Sequence, residues 1–535
     1  MSPATAALVS IDWLVLAPVL APAAGAVLVL LLDAVAPRLA RLHGVVAVVA
    51  LAAGFALAVP GAVRTAGLPL RTLCLPAPGG ACLYEAGPLA SALQLGALGS
   101  AIVVVLLMWP GERERLLLRG GPAVVASLVL AATAGACGVA AAHDLGSWLV
   151  CLELATLPVV ALVALRGTEA AGRGALALLT TSLVSFAMLA LGAALWLVAT
   201  GEAVFAQGAA QAALDDPARR AVLGLGVVLL LAGLGFKLSL VPFHAWTPQA
   251  YAGGSEPVAA FLAATSKVAA LAALVVVLRP LADARAPVLV AVGILAALSM
   301  TVGNVLALVQ DDPVRLLAWS TVAQAGWVVL PLSALEGGSA AASGAYLLAY
   351  VIATVVAFAV VHVVGTAPPA QVIHPNGLKP AAPAATAAQG VQVIHPIGLK
   401  PAAATQVAPS TRRNLAAYTG LLRSHPLLGG ALGLALLSLA GLPPGMVGLV
   451  AKVVALRPVV GGGQWALALI AVSNAVIGIA VYLRWFAVLL RDPESGQATR
   501  VVRSVPRPAL AAVVLSGVVL VATSVMPQLL LGLVD

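Results

Sequence analysis

Runs of about twenty apolar residues, the length needed to cross a bilayer, follow one another along nearly the whole chain. They lie near residues 12–34, 42–60, 88–109, 122–142, 145–165, 174–200, 221–252, 256–279, 286–309, 314–335, 339–365, 426–455, 463–489 and 508–533. This pattern predicts an all-α polytopic membrane protein with about fourteen transmembrane helices. The first run, from Trp13 to Leu32, is long enough to span and carries no evident cleavage site. Two runs are irregular. The seventh is too long for one span and contains Pro242 and Pro248, and the twelfth has Pro443 and Pro444 near its middle. Both are expected to break, because proline lacks the amide hydrogen and clashes with the preceding turn. Interrupted helices at matching places suggest repeated units around a transport path. The breaks are five spans apart, which predicts two inverted five-helix repeats. The expected division is 1–120 (spans 1–3), 121–285 (spans 4–8), 286–490 (spans 9–13) and 491–535 (a loop and span 14).

Composition agrees with the membrane reading. Hydrophobic residues make up 62% of the 535 positions and charged residues 9%, with mean hydropathy +1.09. Soluble domains carry about 25% charged residues. The net charge of +9 belongs to loops that orient the protein, not to a nucleic-acid footprint. Loops after odd-numbered spans hold about 17 Lys and Arg and those after even-numbered spans about 7, which places the odd loops in the cytoplasm and both termini outside. Abundant Ala and an excess of Arg over Lys hint at a GC-rich bacterial source, hence a bacterial plasma membrane.

Cys74 and Cys82 flank a short Pro/Gly stretch in the second loop, TLCLPAPGGACLY, on the outer side. An oxidising compartment allows a disulfide there; two unpaired thiols are the alternative. Cys137 and Cys151 lie inside spans and are expected to pack. No CxxC ligand set exists for zinc or an iron–sulfur cluster. Residues 368–410 depart from the apolar pattern. They are rich in Pro, Ala and Gln and contain a duplication, QVIHPNGLKPAA at 371–382 and QVIHPIGLKPAA at 392–403. This composition predicts a poorly ordered cytoplasmic linker, in which His374 and His395 recur with the repeat.

Against this background a few charges stand out. Lys237 lies in LLLAGLGFKLSLVPFHAW, Lys267 in FLAATSKVAALAAL, Lys452 in GMVGLVAKVVAL and Glu153 in WLVCLELATLPVVAL. Each costs a few kcal/mol to insert, about 2.5–3.5 on translocon scales, and intramembrane ionisable groups mark ion or proton paths. Desolvation favours the neutral amine and a nearby carboxylate favours the ammonium. A Glu153–Lys237 pair would therefore act as a switch, with Lys267 the next station and Lys452 the exit. His244 follows the first break and titrates near neutrality, so it is a candidate feeder of a water chain. Gln324, in STVAQAGW, is a candidate lining residue. The competing readings are structural: Glu153 neutralises a lysine for packing, the lysines snorkel, and His244 caps the broken helix. His362 and the Asp311-Asp312-Arg315 group are expected to be structural.

At these residues the chain resembles the antiporter-like membrane subunits of bacterial NADH:quinone oxidoreductase (respiratory complex I), the subunit N branch in particular. The resemblance rests on GLGFKLSLVPFHAWTPQAYAGGSEPVAAFLAATSK, HDLGSWLVCLELATLPVVAL, VGNVLALVQDDPVRLLAWSTVAQAGW and HPLLGGALGLALLSLAGLPPGMVGLVAK. It covers almost the whole chain except the duplicated linker. It implies that Glu153, Lys237, Lys267 and Lys452 occupy the family's proton-channel positions. It also implies that the chain holds no cofactor itself, with NAD, FMN, iron–sulfur clusters and quinone on partner subunits. The implied partners are other antiporter-like and small membrane subunits and the lipid bilayer. Two departures stand out. The family usually has a lysine early in the sixth span, in a motif resembling EAALKY; here the stretch is EAAGRGALALL, with Ala175 near the aligned place and Arg173 the nearest base. Either Arg173 substitutes or that station is missing. Gln324 stands where a histidine is common.

The expected function is proton translocation driven by NADH oxidation and quinone reduction on partner subunits. One rival is a cation/proton antiporter subunit carrying sodium, which extra intramembrane carboxylates or hydroxyl clusters would favour. The other is a non-conducting structural subunit.

Overall fold

The computed structural model describes residues 9–64, 68–75, 80–109, 120–284, 288–334, 338–366, 413–492 and 505–534. The duplicated segment, with His374 and His395, lies outside them. Among the described residues, thirteen helices are long and apolar enough to cross a membrane, or fourteen when the bent pair Leu415–Ser424 and Pro426–Ala440 counts as one span. The chain is thus a multi-pass membrane protein of about the expected helix number.

The helices run α1 (Trp13–Val35), α2 (Ala40–Ala62), α3 (Pro88–Leu107), α4 (Gly121–Ala141), α5 (Leu145–Leu154), α6 (Leu157–Ala164), α7 (Glu169–Thr200), α8 (Gln207–Asp215), α9 (Pro217–Leu238) and α10 (Thr247–Gly253). They continue with α11 (Glu256–Ala263), α12 (Thr265–Leu278), α13 (Val288–Leu308), α14 (Pro313–Val329), α15 (Ser339–Thr366), α16 (Pro426–Ala440), α17 (Met446–Gly461), α18 (Trp465–Leu490) and α19 (Arg507–Val525). Helices α4, α11, α12, α14 and α15 are buried on nearly all sides. Their neighbours α1, α2, α7, α13, α18 and α19 turn rows of Leu and Val outward, as Leu28, Leu31, Leu183, Val290, Leu469 and Val518 show. In a bilayer those rows meet acyl chains, so they carry no desolvation cost there.

Four spans are interrupted. The breaks expected at Pro242 and Pro443-Pro444 are present: α9 ends at Leu238 and α16 at Ala440. Ser239 and Gly441 close these ends in the left-handed region, with φ of 66° and 79°, a helix-stop geometry that suits glycine and strains serine. Two further breaks were not expected. Span five divides into α5 and α6 at Ala155-Thr156, where Pro158 cannot extend the helix backward past Leu154. Span eight divides at Ala264, with φ −109° and ψ −85°, and no proline or glycine stands there to cause it.

The structure also adds a small β element to the expected all-α fold. Strands β1 (Leu70–Cys74) and β2 (Cys82–Ala86) pair antiparallel, with Thr72 opposite Tyr84 and Cys74 opposite Cys82. A disulfide joins Cys74 and Cys82. Isolated bridges tie this hairpin to Ser10 and Ala142, so it caps the ends of α1, α4 and α5.

Candidate functional site

The α5–α6 break brings Glu153 and Thr156 to the bundle interior. Thr156 Oγ1 caps the interrupted helix by donating to the Leu152 carbonyl at 2.8 Å. Lys237, in the last turn of α9, donates from Nζ to Glu153 Oε1 at 2.8 Å and to Thr156 Oγ1 at 3.0 Å. The two charged side chains are only 6% and 15% exposed. A buried ion pair offsets its desolvation only with good geometry and further hydrogen bonds; here a direct contact and a hydroxyl supply them.

Lys267, on the far side of the α9 break, is more deeply buried. Its Nζ donates to the Lys237 carbonyl at 2.9 Å and to Ser239 Oγ at 2.6 Å. It also lies 5.0 Å from the centre of the Trp246 ring. The negative end of the α9 dipole and the ring face thus stand in for a carboxylate. Thr247 Oγ1 donates onward to Ser239 Oγ at 2.6 Å.

Lys452 repeats this arrangement at the other break. Its Nζ donates to the carbonyls of Leu439 and Ala440, at 3.2 and 2.5 Å, at the C-terminus of α16. It lies 5.7 Å from the Trp327 ring centre. The environment of Lys452 therefore matches that of Lys267. Among the described residues, Lys237 alone of the three has a carboxylate partner.

Gln324 is buried on α14 beside this second centre. Its amide donates to the Tyr482 hydroxyl at 2.8 Å and accepts from the Tyr346 hydroxyl. Its Nε2 also lies 3.5 Å from the Leu439 carbonyl that Lys452 binds. A small cavity of about 30 Å³ adjoins Lys237, with Thr156, Thr181, Ser182, Ser185 and Ser266 among its lining residues.

Two candidates fall outside this constellation. Arg173 is 68% exposed and pairs with Glu169 one turn earlier on α7, so it neither approaches Glu153 nor replaces an interior lysine. The helix begins at Glu169, which leaves Arg173 on an outward face. His244 is half-buried after the α9 break and packs on Trp319, with ring centres 5.3 Å apart; it is hydrogen-bonded to none of the four charged residues.

The family model for transmembrane proteins of NADH:quinone oxidoreductase and Mrp antiporters matches residues 142–403 and 401–478. The chain is 35% identical to NADH-quinone oxidoreductase subunit N 2 of Streptomyces griseus subsp. griseus, over 98% of this chain and 93% of that one. The chain belongs to the subunit N family of NADH-quinone oxidoreductase. It is also 35% identical to subunit 14 from Thermus thermophilus, over 78% of this chain and 81% of that one. A chain of respiratory complex I from Thermus thermophilus superposes with a TM-score of 0.72 at 31% identity, covering 96% of this chain and 98% of that one. A chain of the Mrp complex from Dietzia sp. shares the fold, with a TM-score of 0.77 at 22% identity, over 98% of this chain and 96% of that one.

Reading the sequence of this subunit N family member for charges missed several interior residues. Glu256, at the start of α11, binds Arg413 Nη2 at 2.8 Å and stands 3.7 Å from His362 Nδ1. Arg166 donates to the Gly254 carbonyl at 2.7 Å beside them. This cluster ties four segments together at one end of the bundle. The tyrosines around Gln324 were also overlooked. The available signal was rarity, since the chain has only six tyrosines and three of them, Tyr346, Tyr350 and Tyr482, converge here. Among the described residues no group of His, Cys, Asp and Glu could hold a metal ion.

Proposed function

We propose that this chain is a proton-translocating membrane subunit of a bacterial NADH:quinone oxidoreductase. The observation that carries the reading is the buried Glu153–Lys237 pair, with Lys267 bonded directly to the backbone of Lys237. In this reading the pair holds the Lys237 ammonium while closed. Drawing Glu153 away removes the counter-charge, and the proton passes toward Ser239 and Lys267. Lys452, in a like setting at the second break, receives it later. The two breaks then belong to two five-helix units, spans 4–8 and 9–13, with a lysine at each helix end.

Nicotinamide oxidation, flavin and iron–sulfur electron transfer and quinone reduction take place on partner subunits. Their energy reaches this chain through neighbouring antiporter-like and small membrane subunits. Both termini and the Cys74–Cys82 hairpin face the outer side of the plasma membrane, as the Lys/Arg bias of the loops supports.

Sodium dependence tests the proton reading. The assembled complex, reconstituted in proteoliposomes, is expected to acidify the lumen on NADH addition at the same rate with and without sodium. A requirement for sodium overturns the reading in favour of cation exchange.

A further inference from the structure

Helix α10 has seven residues, Thr247–Gly253, too few to hold a helix by their own hydrogen bonds. Its place is set at its two ends. The N-terminal end meets Lys267. The Trp246 ring centre lies 5.0 Å from Lys267 Nζ, and Thr247 Oγ1 donates to the Ser239 hydroxyl that Lys267 also binds. Trp246 Nε1 donates in addition to the Phe236 carbonyl at 2.8 Å, across the break. The C-terminal end leaves carbonyls with no donor inside the helix, as every helix does.

Two arginines from distant segments supply those donors. Arg413 Nη1 donates to the Ala252 carbonyl at 2.9 Å, and Arg166 Nη1 to the Gly254 carbonyl at 2.7 Å. The other terminal nitrogen of Arg413 binds Glu256 Oε1 at 2.8 Å, so one guanidinium bridges the end of α10 and the start of α11. A planar fork of this kind is particular to arginine. The pair is mostly buried, with side chains 23% and 17% exposed, and is screened less than a surface pair. Along its side α10 lies backbone to backbone on α7. A Cβ at Gly253 would sit 2.5 Å from the Ala170 carbonyl oxygen, and one at Gly174 would sit 2.7 Å from that of Gln249. Glycine at both places leaves no side chain to interlock. The contact with α7 therefore sets the spacing, and the polar ties set the position along it.

We infer that Arg413 and Arg166 are positioning residues for Lys267. They fasten one end of α10 and thereby hold Trp246 and Thr247, at the other end, against the lysine. The inference rests on the proton-translocating reading above. From Ala252 back to Thr247 is about 7.5 Å of helix, so an unfastened end carries the Lys267 contacts with it. A guanidinium does not deprotonate in proteins, so neither arginine passes a proton. Both act only through α10.

Arg413→Met keeps an unbranched side chain and removes its charge and donors. The first readout is local and independent of pumping. Ser239 Oγ and Thr247 Oγ1 are 2.6 Å apart. Ser239→Cys/Thr247→Cys, combined with Cys137→Ala and Cys151→Ala, should therefore form a disulfide across the break when the assembled complex in membranes meets a membrane-permeant oxidant. Adding Arg413→Met should slow this cross-link several-fold, whereas a cluster that merely holds the bundle together would leave it alone. The second readout is NADH-driven proton pumping by the otherwise native chain in proteoliposomes, per assembled subunit. It is expected to fall on the order of tenfold, within the roughly hundredfold that an ångström of misplacement can cost. Arg423→Ala, which removes an exposed partner of Asp492, should change neither readout. If Arg413→Met does not assemble, Arg166→Met carries the same expectations. An unchanged cross-link rate or unchanged pumping in the assembled variant overturns the inference, as does a parent cysteine pair that forms no cross-link. Lys237→Ala separates the two levels. Loss of pumping there with none in Arg413→Met removes only this inference. Unchanged pumping in Lys237→Ala removes the proton reading, and the cross-link rate still decides whether the arginines place α10.

Discussion

Glu153→Gln removes one charge from the buried pair and keeps the side-chain shape. Lys237 then retains Thr156 Oγ1 at 3.0 Å but no carboxylate. Breaking a buried pair from one side costs about 3–5 kcal/mol, and an unpaired charge at bilayer depth costs about 2.5–3.5 kcal/mol on insertion scales. Both routes give about 3 kcal/mol. The double variant Glu153→Gln/Lys237→Met replaces the pair by groups of similar volume, a change that is often near neutral. The double variant should thus be about 3 kcal/mol more stable than either single variant. The assay is heat-induced loss of this subunit from the purified complex, followed on native gels for wild type, both single variants and the double. Each single variant should release the subunit at a lower temperature, and the double should recover most of the difference. A double variant as weak as the sum of the singles would refute a coupled pair.

Three further outcomes follow from the geometry. Arg173→Ala breaks only an exposed pair one turn apart on α7, so stability should shift by no more than about 0.5 kcal/mol. Its proton pumping should match wild type; a loss would return Arg173 to the site. Gly448→Ala places a methyl group 1.7 Å from the Ser438 carbonyl oxygen, where α16 and α17 cross. Overpacking of this kind costs about 1–3 kcal/mol or more, so the amount of assembled subunit in membranes should drop, while Gly430→Ala, with open space around it, should not lower it. His143, in the loop under the hairpin, has its imidazole held below the ordinary range by burial, with Arg279 and Arg71 adding to the effect and Glu85 and Asp144 opposing it. The unfolded chain therefore takes up this proton first as pH falls below about 6.5, and stability present at neutral pH is lost on acidification. His143→Gln should lose less melting temperature than wild type between neutral and mildly acid pH; equal losses would contradict this.

The spans were legible because a bilayer demands about twenty apolar residues at a time, and nearly every such run became a helix. The breaks after Lys237 and before Met446 were legible through Pro242 and Pro443-Pro444. The break at Ala264 was not, since its backbone turn has no local residue to announce it. The hairpin escaped notice because its two five-residue strands lie in a loop flanked by Pro and Gly, and only their mutual register reveals them. The four intramembrane charges were visible as exceptions in an apolar chain. Their partners were less so. Contact between Glu153 and Lys237 was foreseeable from charge alone. The kinship of Lys267 with Lys452 depends on helix carbonyls and tryptophan faces, which become sites only when the chain folds. Of the two readings of the sixth span, a substituting Arg173 was the weaker one, since Glu169, four residues earlier, offered a surface partner in plain view. The hydroxyls of Ser239, Tyr350 and Tyr482 carry no charge, so a search for charges passed over them.

The central claim is that Lys237 passes protons. Lys237→Ala in the assembled complex, reconstituted in proteoliposomes with NADH and quinone, tests it most directly. Proton pumping coupled to quinone reduction is expected to fall well below wild type, while NADH oxidation by a soluble artificial acceptor stays intact. Unchanged quinone-coupled pumping in a fully assembled Lys237→Ala complex would contradict the account and leave this chain a structural subunit.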